Sequence, residues 1–210
     1  MRNNETLLSP SGIYHIYNHA NGMENLFKTR ENNVFFLKRY GQFINPIADT
    51  LAYCLMPNHI HFAIQIKNQE EIQKANNDFR ISREEEPNEL SVKETQLYIS
   101  QVFGNLFSSY GQAFNLQQKR KGSLFIPNFR RKEVDNNAYF VNLIHYIHSN
   151  PVHHGFTKTM LDWEFSSIHA YWLEKKTQIV KEKMLALYGG KDEFTSRHQT
   201  HLDLNDEFEI

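Results

Sequence analysis

Two histidines, His59 and His61, stand one residue apart in a stretch where Ile60, Phe62, Ile64 and Ile66 alternate with other residues. On a strand, successive side chains point to opposite faces, so the two imidazoles share one face and the isoleucine–phenylalanine row takes the other. Two neutral imidazoles so placed are half of a divalent metal site. A bare His-x-His is also what a solvated strand face presents. Tyr146 and Asn150 are four apart in a segment whose Phe140, Leu143, Ile144 and Ile147 recur at helical spacing, so they stack on one helical edge. An asparagine carbonyl can bind Mg²⁺ or Mn²⁺. A phenol, with a pKa of about 10, becomes a nucleophile only with help. The same pair also suits a packing tyrosine and an asparagine that closes a helix ahead of Pro151. His145, His148, His153 and His154 crowd this helix, and His148, two residues from Tyr146, should point away from it. A third group is basic: Lys119, Arg120, Lys121, Arg130, Arg131 and Lys132 follow one another with no acid between them. Such a run grips phosphates, with Phe125 or Phe129 buried or stacked on a base, or else forms a solvated loop.

These residues need elements to hold them. The pattern predicts strands over 13–19, 47–56 and 59–67, the last two joined at Pro57-Asn58 as a hairpin. Helices are expected over 30–44 and 92–117, and over 137–150, where Asp135-Asn136 cap the start and Pro151 the end. Residues 124–134 read as a fourth strand, interrupted near Pro127 and so at a sheet edge. The polar stretch 68–90, with Pro87, reads as an excursion. The β-α-β-β-α-β order predicts an α+β fold: a ferredoxin-like antiparallel sheet with helices packed on one face.

The 210 residues suffice for one domain with additions. With 40% hydrophobic and 22% charged residues, wholesale disorder is excluded. A single cysteine, Cys54, allows no internal disulfide and no thiolate metal cage, which suggests a cytoplasmic setting. The N-terminus has no apolar signal core, and no run reaches the roughly 20 apolar residues of a membrane span. The net charge of −1 argues against a uniformly basic nucleic-acid binder, but the charge is uneven. Residues 70–94 carry eight acids against four bases, and residues 191–210 six against two, which leaves the rest net positive. The expected organisation is a domain over 1–175, with an acidic insert at about 68–94, followed by a C-terminal helix and acidic tail over 176–210.

Several motifs are similar to one family. Tyr14-His15-Ile16-Tyr17-Asn18, Leu55-Met56-Pro57-Asn58-His59-Ile60-His61, Gly122-Ser123-Leu124-Phe125 with Phe129-Arg130-Arg131-Lys132, Tyr146-Ile147-His148-Ser149-Asn150-Pro151-Val152 with Gly155, and Trp163-Glu164-Phe165-Ser166-Ser167 run in the order found in single-tyrosine HUH transposases. They resemble the REP-associated tyrosine transposases in particular, over about residues 13 to 172. The resemblance implies an HUH nuclease domain acting on single-stranded or hairpin DNA. In that reading His59, His61 and Asn150 hold Mg²⁺ or Mn²⁺, and Tyr146 attacks the scissile phosphate to leave a 5′-phosphotyrosine and a free 3′-hydroxyl. The protein would work as a monomer or homodimer, with no membrane partner. His19-Ala20 departs from the Arg-Gly of many relatives, and the chain is less basic than many of them. Two other readings stand beside it: a hairpin-DNA-binding regulator that cleaves little or not at all, and an unrelated metal hydrolase, which would need a further carboxylate or histidine near the pair.

Overall fold

The computed structural model describes residues 6–172 and 177–199. Its elements, in chain order, are β1 (Ile13–His19), α1 (Arg30–Ile44), β2 (Ala48–Leu55), β3 (His59–Ile66), α2 (Gln69–Ile81), α3 (Val92–Gln117), β4 (Arg130–Glu133), α4 (Asn137–His153), a 3₁₀ turn (Met160–Asp162), α5 (Ile168–Trp172), α6 (Lys181–Tyr188) and α7 (Lys191–Gln199). The four strands form one antiparallel sheet in the order β2-β3-β1-β4, as the ferredoxin-like expectation required.

Alternation along the strands gives the sheet two different faces. Tyr14 and Ile16 of β1 and Ile60, Phe62, Ile64 and Ile66 of β3 enter one core, which α1 and α3 close with Phe36, Tyr40, Ile99, Phe103, Leu106, Tyr110 and Phe114. Leu51, Ala52, Cys54 and Ala63 enter a second core, closed by Leu143, Ile144 and Ile147 of α4 and by Met184, Tyr188 and Phe194 of α6 and α7. The helices therefore cover both faces. The expected one-sided packing holds for α1 and α3, while α4 lies across the face that carries the histidines. Much of the C-terminal part, expected as a helix and acidic tail, is thus a structural layer. Residues 200–210 of that tail lie outside the described residues.

Three segments differ from expectation. The 68–90 stretch, read only as a polar excursion, holds a helix, α2. Asn68 accepts from the Glu71 amide while Glu71 Oε2 accepts from the Asn68 amide, a reciprocal cap that starts the helix. Ile72 seats the helix in the first core with Ala75 beside it, and amides tie it further: Gln69 Nε2 donates to Thr95 Oγ1 at 2.8 Å, and Asn76 Nδ2 donates to Asn88 Oδ1 at 2.8 Å. Its apolar residues are few and set among polar ones, so hydrophobic periodicity gives little sign of it. The fourth strand is shorter than 124–134, because Pro127 lacks an amide hydrogen and Asn128 adopts a left-handed φ of 62°. Finally, α4 runs through Pro151 to His153. A proline near the end of a helix forfeits one hydrogen bond without ending it, and the His154 amide still reaches the Asn150 carbonyl at 3.0 Å.

Candidate active site

β3 and α4 bring the sequence candidates together. His59 and His61 project from the second face of β3, and Tyr146 and Asn150 come down on them from α4. The Tyr146 ring stands edge-on to His61, with centroids 5.2 Å apart. His59 Nε2 is 2.7 Å from Asn150 Oδ1. All four side chains are buried, Tyr146 at 4% exposure and His61 and Asn150 at 0%.

A line of hydrogen bonds fixes the protons. His19 Nδ1–H donates to the Ala20 carbonyl at 2.7 Å, so His19 Nε2 is an acceptor. It accepts from Asn58 Nδ2 at 3.1 Å, which turns Asn58 Oδ1 toward His59. That oxygen accepts from His59 Nδ1–H at 2.9 Å. A neutral imidazole has one N–H, so His59 Nε2 presents a lone pair to Asn150 Oδ1. Two acceptors 2.7 Å apart repel, unless a cation lies between them or the Asn150 amide is turned to donate. Asn150 Nδ2 itself has no hydrogen-bond partner.

His61 is held similarly. Its Nδ1 lies 2.9 Å from His15 Nε2, and its Nε2 is buried with no hydrogen-bond partner. All three imidazoles are neutral near pH 7. Burial pulls His15 down to about 3, helped by the charge of Lys132. Burial lowers His59 to about 4 against the opposing Asn150 hydrogen bond, and it holds His61 well below the usual histidine range.

A divalent cation fits this donor set. His59 Nε2 and His61 Nε2 are unprotonated or unpartnered, Asn150 Oδ1 faces the first, and the 2.7 Å separation suits neighbouring ligands about 2.1 Å from one ion. Among the described residues no three His, Cys, Asp or Glu side chains group to hold a metal, so the asparagine oxygen would have to serve as the third protein ligand.

The other candidates disperse. His148 does point away from Tyr146: its Nε2 meets Ser167 Oγ at 2.8 Å and its Nδ1 meets His198 at 2.9 Å. His154 is exposed but its ring lies 5.0 Å from His59. Along β4, Arg130 and Lys132 pair with Tyr17 and His15 and so share the histidine face, with Lys132 Nζ 4.3 Å from the Tyr139 ring. Arg131 pairs with Ile16 and takes the opposite face. Arg120 is tied to Glu24 at 3.5 Å and to Asn115, while Lys119 and Lys121 are exposed. Phe125 and Phe129 are buried in the first core instead of being open to a base. Sequence reasoning gave no role to His15, His19 and Asn58. Their part depends on the register that sets Tyr17 opposite His61 and His19 opposite His59, which one strand's pattern does not contain.

No family model matches the chain. Over 123 residues, 58% of its length, it is 25% identical to a Haemophilus influenzae protein that bears the name REP-associated tyrosine transposase, and the match spans 59% of that relative. A solved structure titled as a REP-associated tyrosine transposase bound to a REP hairpin superposes with a TM-score of 0.57, covering 80% of this chain and 82% of that one at 15% identity. The resemblance first seen in five short motifs thus extends to the fold, and by both comparisons the chain is similar to the REP-associated tyrosine transposases.

Proposed function

We propose that this protein cleaves and rejoins single-stranded, hairpin-bearing DNA through Tyr146. The observation that carries the reading is the meeting of β3 and α4: the neutral His59 faces the Asn150 oxygen at 2.7 Å, and the neutral His61 beside it is in ring contact with Tyr146. Asn58 and His15 hold the imidazoles by their remote nitrogens, leaving both Nε2 atoms to face the reacting side. His59, His61 and Asn150 would hold Mg²⁺ or Mn²⁺, which supplies stabilisation of the charge that builds on the phosphate oxygens. Tyr146 Oη attacks phosphorus and the bond to the 3′ oxygen breaks. A 5′-phosphotyrosine remains; the phenol gives up its proton and the departing 3′ oxygen takes one up, so the proton count is unchanged. The ester bond is conserved in that covalent link, so rejoining to another 3′-hydroxyl needs no outside energy source. Lys132 and Arg130, on the same face, are placed to hold the flanking phosphates.

The test is incubation with hairpin-bearing single-stranded DNA and Mn²⁺, followed by denaturing electrophoresis for a protein–DNA adduct. Tyr146→Phe keeps the ring and removes the hydroxyl. It should abolish the adduct, a loss of at least about a thousandfold, while DNA affinity stays within about twofold. An adduct of normal yield from the phenylalanine variant would exclude Tyr146 as the nucleophile. The second reading, a DNA-binding regulator with little cleavage, draws support from the closure of the site around Tyr146 and His61. Tight hairpin binding by the wild type with no adduct under any divalent metal would favour it.

A further inference from the structure

His154 ends a row of four rings that begins at Tyr146. The centroids of Tyr146 and His61 are 5.2 Å apart, those of His61 and His59 5.2 Å, and those of His59 and His154 5.0 Å. The first three rings are buried, and His154 is exposed. The row therefore leads from the closed interior of the candidate site to solvent, with His154 at its mouth.

α4 builds this row from its own side. Tyr146, Asn150 and His154 are spaced four apart, so they stand along one helical edge. The His154 amide makes the last helical hydrogen bond, to the Asn150 carbonyl at 3.0 Å. Gly155 then takes a left-handed φ of 69°, which glycine allows without strain. The amides of Gly155 and Phe156 turn back onto the carbonyls of Val152 and Pro151 at 2.9 and 2.8 Å, and the helix stops directly after His154. The element that delivers Tyr146 thus also sets His154 at the mouth.

His154 is not placed as a metal ligand. Among the described residues no three His, Cys, Asp or Glu side chains group to hold a metal, so it completes no set with His59 and His61. An imidazole in any protonation state carries at least one N–H, and a phosphate oxygen is a strong acceptor for it. Arg130 and Lys132 serve the histidine face from the sheet edge at β4, whereas His154 serves it from the end of α4.

We propose that His154 donates a hydrogen bond to a phosphate of the bound single strand, the neighbour of the phosphate that Tyr146 attacks. The proposal rests on the DNA-cleaving reading above. The row sets the order: the scissile phosphate lies at His61 and His59, beside Tyr146, and the next ring outward serves the next phosphate.

The experiment first maps the broken bond from the adduct formed with Mn²⁺. Oligonucleotides are then made with one methylphosphonate at each position flanking that bond, which replaces a charged phosphate oxygen by a methyl group. Affinities are measured in EDTA, so that no metal contributes. The wild type should lose about five- to tenfold at one neighbouring position. His154→Ala should lose the same factor on the unmodified strand and nothing further from that methylphosphonate. His154→Gln, which keeps an N–H donor, should recover most of the affinity. His154 lies in neither core, so the alanine variant should keep its melting temperature, and its Mn²⁺ affinity should stay within about twofold of wild type. Equal sensitivity of wild type and His154→Ala to every methylphosphonate would overturn the phosphate contact while leaving the cleaving reading standing. A tenfold fall in Mn²⁺ affinity in His154→Ala would also overturn it, by making His154 a metal ligand. Absence of any adduct from the wild type would instead overturn the cleaving reading itself.

Discussion

His61 has one nitrogen for its neighbour and one for the reacting side, and His15 decides which is which. The 2.9 Å contact between His15 Nε2 and His61 Nδ1 assigns the remote nitrogen. His15→Phe retains a flat ring between Tyr17 and His61, with which His15 now stacks at 4.6 and 5.1 Å, but removes the hydrogen bond. Such losses behind a metal ligand typically cost about 10- to 100-fold in affinity. Mn²⁺ titration calorimetry on the variant should show a drop of that size with an unchanged far-ultraviolet circular dichroism spectrum. Undiminished Mn²⁺ affinity would show that His15 is only a packing residue. Asn58→Ala should act on His59 in the same way. At this scale the sequence was partly legible. The pair His59 and His61 and the pair Tyr146 and Asn150 follow from local periods of two and of nearly four. The residues behind them do not, because they are supplied by β1 and by the turn before β3.

Among the elements, α7 is docked by a relay of its own. His198 Nδ1–H donates to the Phe194 carbonyl at 2.8 Å, so its Nε2 accepts from His148 Nδ1–H at 2.9 Å, and His148 Nε2 accepts from Ser167 Oγ at 2.8 Å. Every donor has one acceptor only while both rings are neutral. Burial sets His198 at about 3, despite the Phe194 hydrogen bond, with His145 of α4 adding to the shift. His148 is also held well below its usual range. Glu193 and Arg197, on α7 itself, pair with each other. The unfolded chain takes up its protons near pH 6.5, so the folded state loses stability as pH falls below that value and keeps losing it until pH approaches the folded values. For His198 the loss is about 1.4 kcal/mol per pH unit across this window. His198→Gln, which cannot charge, should flatten the fall of melting temperature between pH 6.5 and 4.5. A wild-type slope retained in that variant would show that α7 does not hold the relevant proton site. Elements with an apolar period, such as α1, α3 and the β2–β3 hairpin, were readable in advance. α2 was not, since its one fully buried apolar residue, Ile72, stands among polar neighbours, and neither was the extension of α4 past Pro151.

For the whole molecule, the net charge of −1 conceals how the basic residues are arranged. Arg120 is held by Glu24 and Asn115, whereas Arg130 and Lys132 share the histidine face. Replacing Arg130 and Lys132 together by glutamine should reduce the slope of log affinity against log salt for single-stranded DNA by about 1.4, two phosphate contacts at roughly 0.7 each. The Arg120→Gln variant should leave that slope close to wild type. Equal slopes in the double variant and the wild type would mean that β4 makes no phosphate contact. The two-sided sheet also carries a consequence in time. β1, β2 and β3 leave the ribosome with their first-face helices, but Tyr146 follows His61 by about 85 residues, several seconds at roughly 5–20 residues per second. During that interval the histidine face has no cover. The nascent chain therefore passes through a stage with an exposed half-sheet and open imidazoles, and the site closes only when its last layer is made.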